Sequence, residues 1–225
     1  MITAVTAFVP IPNHPRKEEV YRDLGQHLLT LEIPLMFHEA TIEECWLYEY
    51  LQQRQKRFTH SVADNPAKNS IAYHIVQAQK TEWLVEASHA NPQADVLVWI
   101  DYGIFHVPGV TGPIIRDFLI RAKDEKAIAI PGCWDRDYTY DDKWPCWRFC
   151  GGVLVVPRDQ VIDLDTAMKH EYITWLNKTN NLSWEINTLA RVEQNYKQLP
   201  IWHYKADHNA SMFTAYRGNE RSTMH

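Results

Sequence analysis

No stretch of this 225-residue chain is basic enough to form a concentrated positive face. Its 23 Lys and Arg stand against 28 Asp and Glu, for a net charge of −5, which argues against nucleic-acid binding. No apolar run approaches the roughly 20 residues that span a bilayer, so no transmembrane segment is expected. The opening residues, MITAVTAFVPIPNHP, lack a basic leader and a long apolar stretch and do not read as a signal peptide. Cysteine is sparse. Cys45, Cys133, Cys146 and Cys150 do not make a disulfide scaffold in a chain this long. The C-x-x-C pairs of common zinc sites are missing, and Trp and Phe intervene. The four read as reduced, partly buried thiols and point to a cytoplasmic, intracellular setting. Internal repeats and linker-like segments are absent as well.

What is present is a soluble globular composition, 45% hydrophobic and 23% charged, long enough for one large α/β domain. Nine Trp and eleven Tyr supply flat faces that pack a core or stack on nucleobases and sugars. Strands are expected at 2–9, 33–38, 96–101, 127–130, 151–156 and 201–204. Helices are expected at 15–31, 41–57, 71–90, 114–124, 159–177 and 184–197, with Thr41 and Glu44 forming a capping box. Strands alternating with helices imply a mostly parallel sheet in a single Rossmann-like domain over 1–213. Residues 214–225 read as a polar, mobile tail.

The most informative stretch is DVLVWIDYGIFH, residues 95–106. Val96 to Ile100 is too short for a helix and rich in β-branched and aromatic residues, so it reads as a buried strand. It stops at Asp101-Tyr102-Gly103. Ligands of α/β sheets collect beyond the carboxyl ends of strands. A carboxylate there, followed by a glycine that admits close backbone approach, suits a metal-diphosphate site. An ordinary turn uses the same residues.

The succession KNSIAYHIVQAQKTEWLVEA (68–87), VLVWIDYGI (96–104), WRFCGGVLVVP (147–157) and WEINTLARVEQNYKQLPIWHYKADHNASMF (184–213) resembles nucleotide-sugar glycosyltransferases of the GT-A type. Within that type it resembles the bacterial HtrL-type family and the amino-terminal capsid-glycosylating domain of chloroviruses. The resemblance covers most of residues 1–213 and lies in the order of the motifs. It implies a GT-A fold, a nucleoside-diphosphate sugar donor, here a UDP-sugar, and a glycan or glycoprotein acceptor. It also implies Mn²⁺ or Mg²⁺ held through an Asp-x-Asp motif. The sequence departs from that motif: Asp101 keeps the first acid, and Gly103 stands in place of the second. The resemblance further implies a histidine ligand near the carboxyl end, where His203 and His208 both lie, with Asp207 beside the second. It puts the uracil and ribose at Ala7-Phe8-Val9.

Glycosyl transfer with inversion needs a carboxylate to take the acceptor proton. Glu185, next to Trp184 at a helix start, is the first candidate; a simple dipole role for a first-turn acid is the plainer alternative. Asp135 and Asp137 in the aromatic loop are second choices. Lys80, Lys68 and Arg16 are candidates for the donor phosphates. Gly151-Gly152, opening a strand without a Cβ, lets a sugar approach the backbone or marks a bulge. Two other functions compete. One is a carbohydrate-binding module built on Trp134, Trp144 and Trp147. The other is a nucleotidyltransferase, which Gly103 disfavours because that chemistry needs two metal-binding acids.

Overall fold

The apolar run at 96–100 forms β3 (Val96–Ile100), a strand buried at all five positions, and the remaining elements are arranged about it. The computed structural model describes residues 1–12, 14, 16–54, 70–135 and 144–218. The other strands are β1 (Ile2–Phe8), β2 (Leu35–Glu39), β4 (Ile128–Gly132), β5 (Val153–Pro157) and β6 (Ile201–Lys205). They form one sheet in the order β2-β1-β3-β5-β4-β6. β1 pairs parallel with β2 and β3, and β4 parallel with β6, while β5 runs antiparallel between β3 and β4. The expected mostly parallel α/β domain is therefore present, with one reversed strand at its centre.

Side chains of successive strand residues point to opposite faces, and both faces are covered. Leu97 and Trp99 join a core with Leu84, Ala87, Leu164 and Leu189. Val98 and Ile100 join a second core with Leu28, Ile115, Phe118 and Phe213. The covering helices are α1 (Glu18–Leu29), α2 (Trp46–Gln53), α3 (Ile71–Ala78), α4 (Lys80–Ala90), α5 (Gly112–Ala122), α6 (Val161–Thr179), α7 (Glu185–Asn195) and the short α8 (Ser211–Thr214). Among the described residues no helix is long and apolar enough to cross a membrane.

Three local expectations need correction. The helix expected over 71–90 is broken at Gln79. Its side-chain oxygen accepts the Trp46 N–H at 2.9 Å, and Trp46 Nε1 donates to the Ala78 carbonyl at 3.0 Å. The Thr41 and Glu44 pattern does hold the chain, with the Glu44 carboxylate accepting the Thr41 N–H at 2.6 Å, but it starts a 3-10 turn over Ile42–Glu44 and α2 begins only at Trp46. The tail expected from residue 214 is packed as far as it is described. Tyr216 is fully buried against Phe118 and donates to Glu125 at 2.6 Å. Arg121 donates to the carbonyls of Phe213 and Tyr216 at 2.9 and 2.6 Å. An aromatic side chain that can be buried with its hydroxyl satisfied is worth more inside than in water.

Candidate functional site

The carboxyl ends of β1 and β3 splay apart at the edge of a cavity of about 500 Å³. β1 leads through α1 to β2 on one side, and β3 leads through α5 toward β4 on the other; connections that part in this way open a crevice between the two strands. Because β5 is reversed, its beginning, with Gly151 and Gly152, arrives at the same end of the sheet. Ala7, Phe8, Val9, Asp101, Gly103 and Glu185 all line the cavity, and so do Lys80, Tyr102, Gly151, Gly152, Arg16 and His208.

Lys80 ties the floor together. Placed at the first position of α4 by the break at Gln79, its side chain is almost wholly enclosed. Its ammonium donates to the Gly151 carbonyl at 2.8 Å, to Asp101 Oδ1 at 2.9 Å and to Glu185 Oε2 at 3.0 Å. An ammonium has three N–H donors, so all three are committed. Lys80, expected to contact the donor, thus lines the cavity with its donors turned to protein acceptors. Burial works against its charge, but the Asp101 and Glu185 charges and their hydrogen bonds outweigh that and hold it protonated above its ordinary range.

Asp101 stands one residue beyond β3. Its Oδ1 also accepts from Trp99 Nε1 at 2.7 Å, and the Trp99 ring stacks on Trp83 with centroids 5.7 Å apart. The Asp101 N–H donates to the Gly152 carbonyl at 3.0 Å. The carboxylate is fixed in direction and still one-third exposed to the cavity.

Glu185 opens α7 and is buried, with 5% exposure. Burial is the main cause that pushes its carboxyl up to about 7; the Asp101 charge adds to this and Lys80 opposes it. Gly151 packs directly on it. A Cβ at Gly151 would lie 2.5 Å from Glu185 Oε2, whereas one at Gly152 would meet nothing closer than 3.5 Å. Gly151 therefore makes room for the carboxylate. The segment before it is pinned to α7 by a buried bidentate pair, Arg148 to Glu193 at 2.9 and 2.7 Å. Asn187 adds bonds to the Cys146 N–H at 2.7 Å and to the Trp144 carbonyl at 2.8 Å.

The remaining expected residues separate. Tyr102 lies mostly in the core, stacked on Phe37 at 5.3 Å and pressed onto α1 where a Cβ at Gly25 would stand 1.9 Å from its ring. His208 faces the cavity, edge-on to Trp147 at 5.7 Å. His203 does not; it sits on β6 beside Phe149 at 6.2 Å, and burial pushes it down to about 4. Asp135 is apart from the cavity, with a side chain 85% exposed and 3.4 Å from Lys205. Asp137 and Lys68 lie outside the described residues. Of the three tryptophans of the proposed platform only Trp147 lines the cavity; Trp144 is exposed and Trp134 packs against the core.

Sequence reasoning missed Trp99, Tyr73, Tyr21 and His106 as lining residues. Trp99 was findable: two residues before Asp101 on a strand, it must share its face. For a divalent ion the lining carboxylates and imidazoles are Glu18, Asp101, Glu185, His14, His106 and His208; Lys80 already engages Glu185 Oε2 and Asp101 Oδ1, and Trp99 engages the latter a second time. Among the described residues no group of three or more His, Cys, Asp or Glu side chains converges as a metal site. The donor set fits an ion that arrives with phosphate oxygens as its other ligands, and falls short of a resident ion.

No protein-family model matches the chain, and no curated protein matches it. Among solved structures it is similar to a glycosyltransferase involved in the glycosylation of the major capsid of PBCV-1, with a TM-score of 0.49 and 12% identity over 92% of this chain and 81% of that one. It is also similar to the bifunctional IspDF from Campylobacter jejuni, with a TM-score of 0.42 and 11% identity over 99% of this chain and 53% of that one; the chain spans about half the length of that second protein.

Proposed function

We propose that the chain is a glycosyltransferase that moves a sugar from a nucleoside-diphosphate sugar, a UDP-sugar, to a glycan or glycoprotein acceptor. The observation that carries this reading is the Lys80, Asp101 and Glu185 network on the floor of a cavity at the β1/β3 crevice. It places a fixed carboxylate and a buried, proton-hungry carboxyl side by side, where a sugar nucleotide would lie with its base against Phe8 and Val9.

Glu185 takes the proton of the attacking acceptor hydroxyl, for an inverting reaction. A base whose carboxyl titrates at about 7 is well matched to neutral pH, because ionisation and proton affinity are then both useful. Lys80 holds that carboxylate and Asp101 in fixed directions. Among the described cavity-lining residues Arg16 is the cation not held in an ion pair; its guanidinium lies 4.9 Å above the Tyr21 ring. Its planar fork suits a diphosphate. Asp101 and His208 are the protein ligands for a Mn²⁺ or Mg²⁺ ion entering with the nucleotide. Such an ion offsets the charge that builds on the leaving diphosphate.

The test is a thermal-shift titration with UDP and a panel of UDP-sugars, with Mn²⁺ and with EDTA. A ligand that binds only the folded state raises its stability by mass action. Stabilisation by a UDP compound, larger with Mn²⁺, is the expected result. No shift from any nucleoside diphosphate in either condition would sink the reading.

A further inference from the structure

Cys133 and Cys150 take no part in the chemistry above, yet they meet. Cys133 follows the end of β4 and Cys150 precedes Gly151, and their Sγ atoms stand 3.6 Å apart. The segments carrying them are tied in register: Cys150 N–H donates to the Pro131 carbonyl at 2.7 Å, and Cys133 N–H to the Trp147 carbonyl at 2.9 Å. The sulfurs thus face each other from two fixed strand ends. A disulfide needs sulfurs about 2.05 Å apart, so roughly 1.5 Å of approach separates this contact from a bond. The two differ in access: Cys133 is half-buried and Cys150 is enclosed. The exposed Lys205 ammonium donates to the Cys133 carbonyl, and the Asp207 and Lys205 charges act on the accessible sulfur in opposite senses. Cys45, by contrast, is buried and turns its S–H to the Thr41 carbonyl.

We propose that Cys133 and Cys150 are a redox modification site, a pair that closes to a reversible disulfide when Cys133 meets a hydroperoxide. In the first step the Cys133 sulfur attacks one peroxide oxygen and the O–O bond breaks. The departing oxygen takes the thiol proton and leaves as alcohol, or as water from hydrogen peroxide, while Cys133 becomes a sulfenic acid. In the second step the Cys150 sulfur attacks the Cys133 sulfur. The S–O bond breaks, and the hydroxyl leaves as water with the Cys150 proton. Two thiols lose two electrons and two protons, and the hydroperoxide is reduced. The bond forms one residue from Gly151, whose carbonyl holds Lys80.

Peptide mapping of the full chain tests this without reference to transferase activity. The reduced protein is exposed to hydrogen peroxide, its remaining thiols are alkylated with iodoacetamide, and it is digested without reductant. The expected map contains one cross-linked pair joining Cys133 to Cys150, two hydrogens lighter than the free peptides, while Cys45 and Cys146 are alkylated. Free thiols fall from four to two and return with dithiothreitol. Cys150→Ser is expected to stop at a sulfenic acid on Cys133 that dimedone captures. Alkylation of both Cys133 and Cys150 after peroxide, or a bridge to Cys146 or to a second chain, overturns the proposal. Dimedone on Cys150 in the Cys133→Ser protein, with none on Cys133 in its counterpart, overturns the assigned order. If either variant fails to fold, the wild-type map alone decides.

Discussion

Glu185→Gln separates stability from activity in one protein. Burial moves the Glu185 carboxyl from 4.5 to about 7. Below pH 4.5 it is protonated in both folded and unfolded chains, so it does not oppose folding. Between about pH 4.5 and about 7 the unfolded chain ionises while the folded chain keeps this buried carboxyl protonated, so stability is lost over that window and the loss levels off above it. At about 1.4 kcal/mol per pH unit the full loss is about 3 kcal/mol, of which about 2–3 kcal/mol falls between pH 5 and 8. Glutamine keeps the shape and an acceptor for Lys80 but has no proton to lose. Urea unfolding of both proteins at pH 5 and pH 8 should therefore show the variant gaining about 2–3 kcal/mol on wild type across that range. Turnover should meanwhile fall about 10²–10⁴-fold, the usual size of a general-base contribution. A stability difference that stays flat with pH would mean that the carboxyl titrates normally, and the argument for Glu185 as a tuned base would fail.

Much of the site was legible because one strand carries it. Val96 to Ile100 could only be a buried strand, so Asp101 had to stand at its end, and the alternation of that strand puts Trp99 beside it. Glycines at 151 and 152 signalled a close approach, though the sequence could not say that the approaching group is Glu185. Lys80 was the least legible residue. A lone lysine in a helix ordinarily snorkels into solvent, and its partners Gly151 and Glu185 lie 71 and 105 positions away. The break at Gln79 that aims it inward uses neither Gly nor Pro; it comes from tertiary bonds to Trp46. The reversal of β5 was also hidden, since a strand covered on both faces shows the same apolar run in either direction.

Asp101→Asn should abolish turnover yet leave far-UV and near-UV circular dichroism unchanged, because the amide oxygen still accepts from Trp99; a variant that loses its near-UV signal would show Asp101 to be structural. His208→Ala should weaken Mn²⁺-dependent nucleotide binding at least about tenfold, while His203→Ala, away from the cavity, should leave it near wild type; the reverse order, read by calorimetric titration, would move the ligand to His203. The adjacent glycines give the sharpest geometric test. At Gly151 a new methyl would stand 2.5 Å from Glu185 Oε2, closer than any real contact, and the carboxylate cannot swing aside without leaving Lys80. At Gly152 the nearest atom is at 3.5 Å, from the Ile104 side chain, which is ordinary contact. Gly151→Ala should therefore lower turnover nearly as far as Glu185→Gln does, with nucleotide affinity little changed, and Gly152→Ala should keep most of its activity. Equal losses at the two positions would indicate that a bound sugar, rather than Glu185, is what needs the space at this turn.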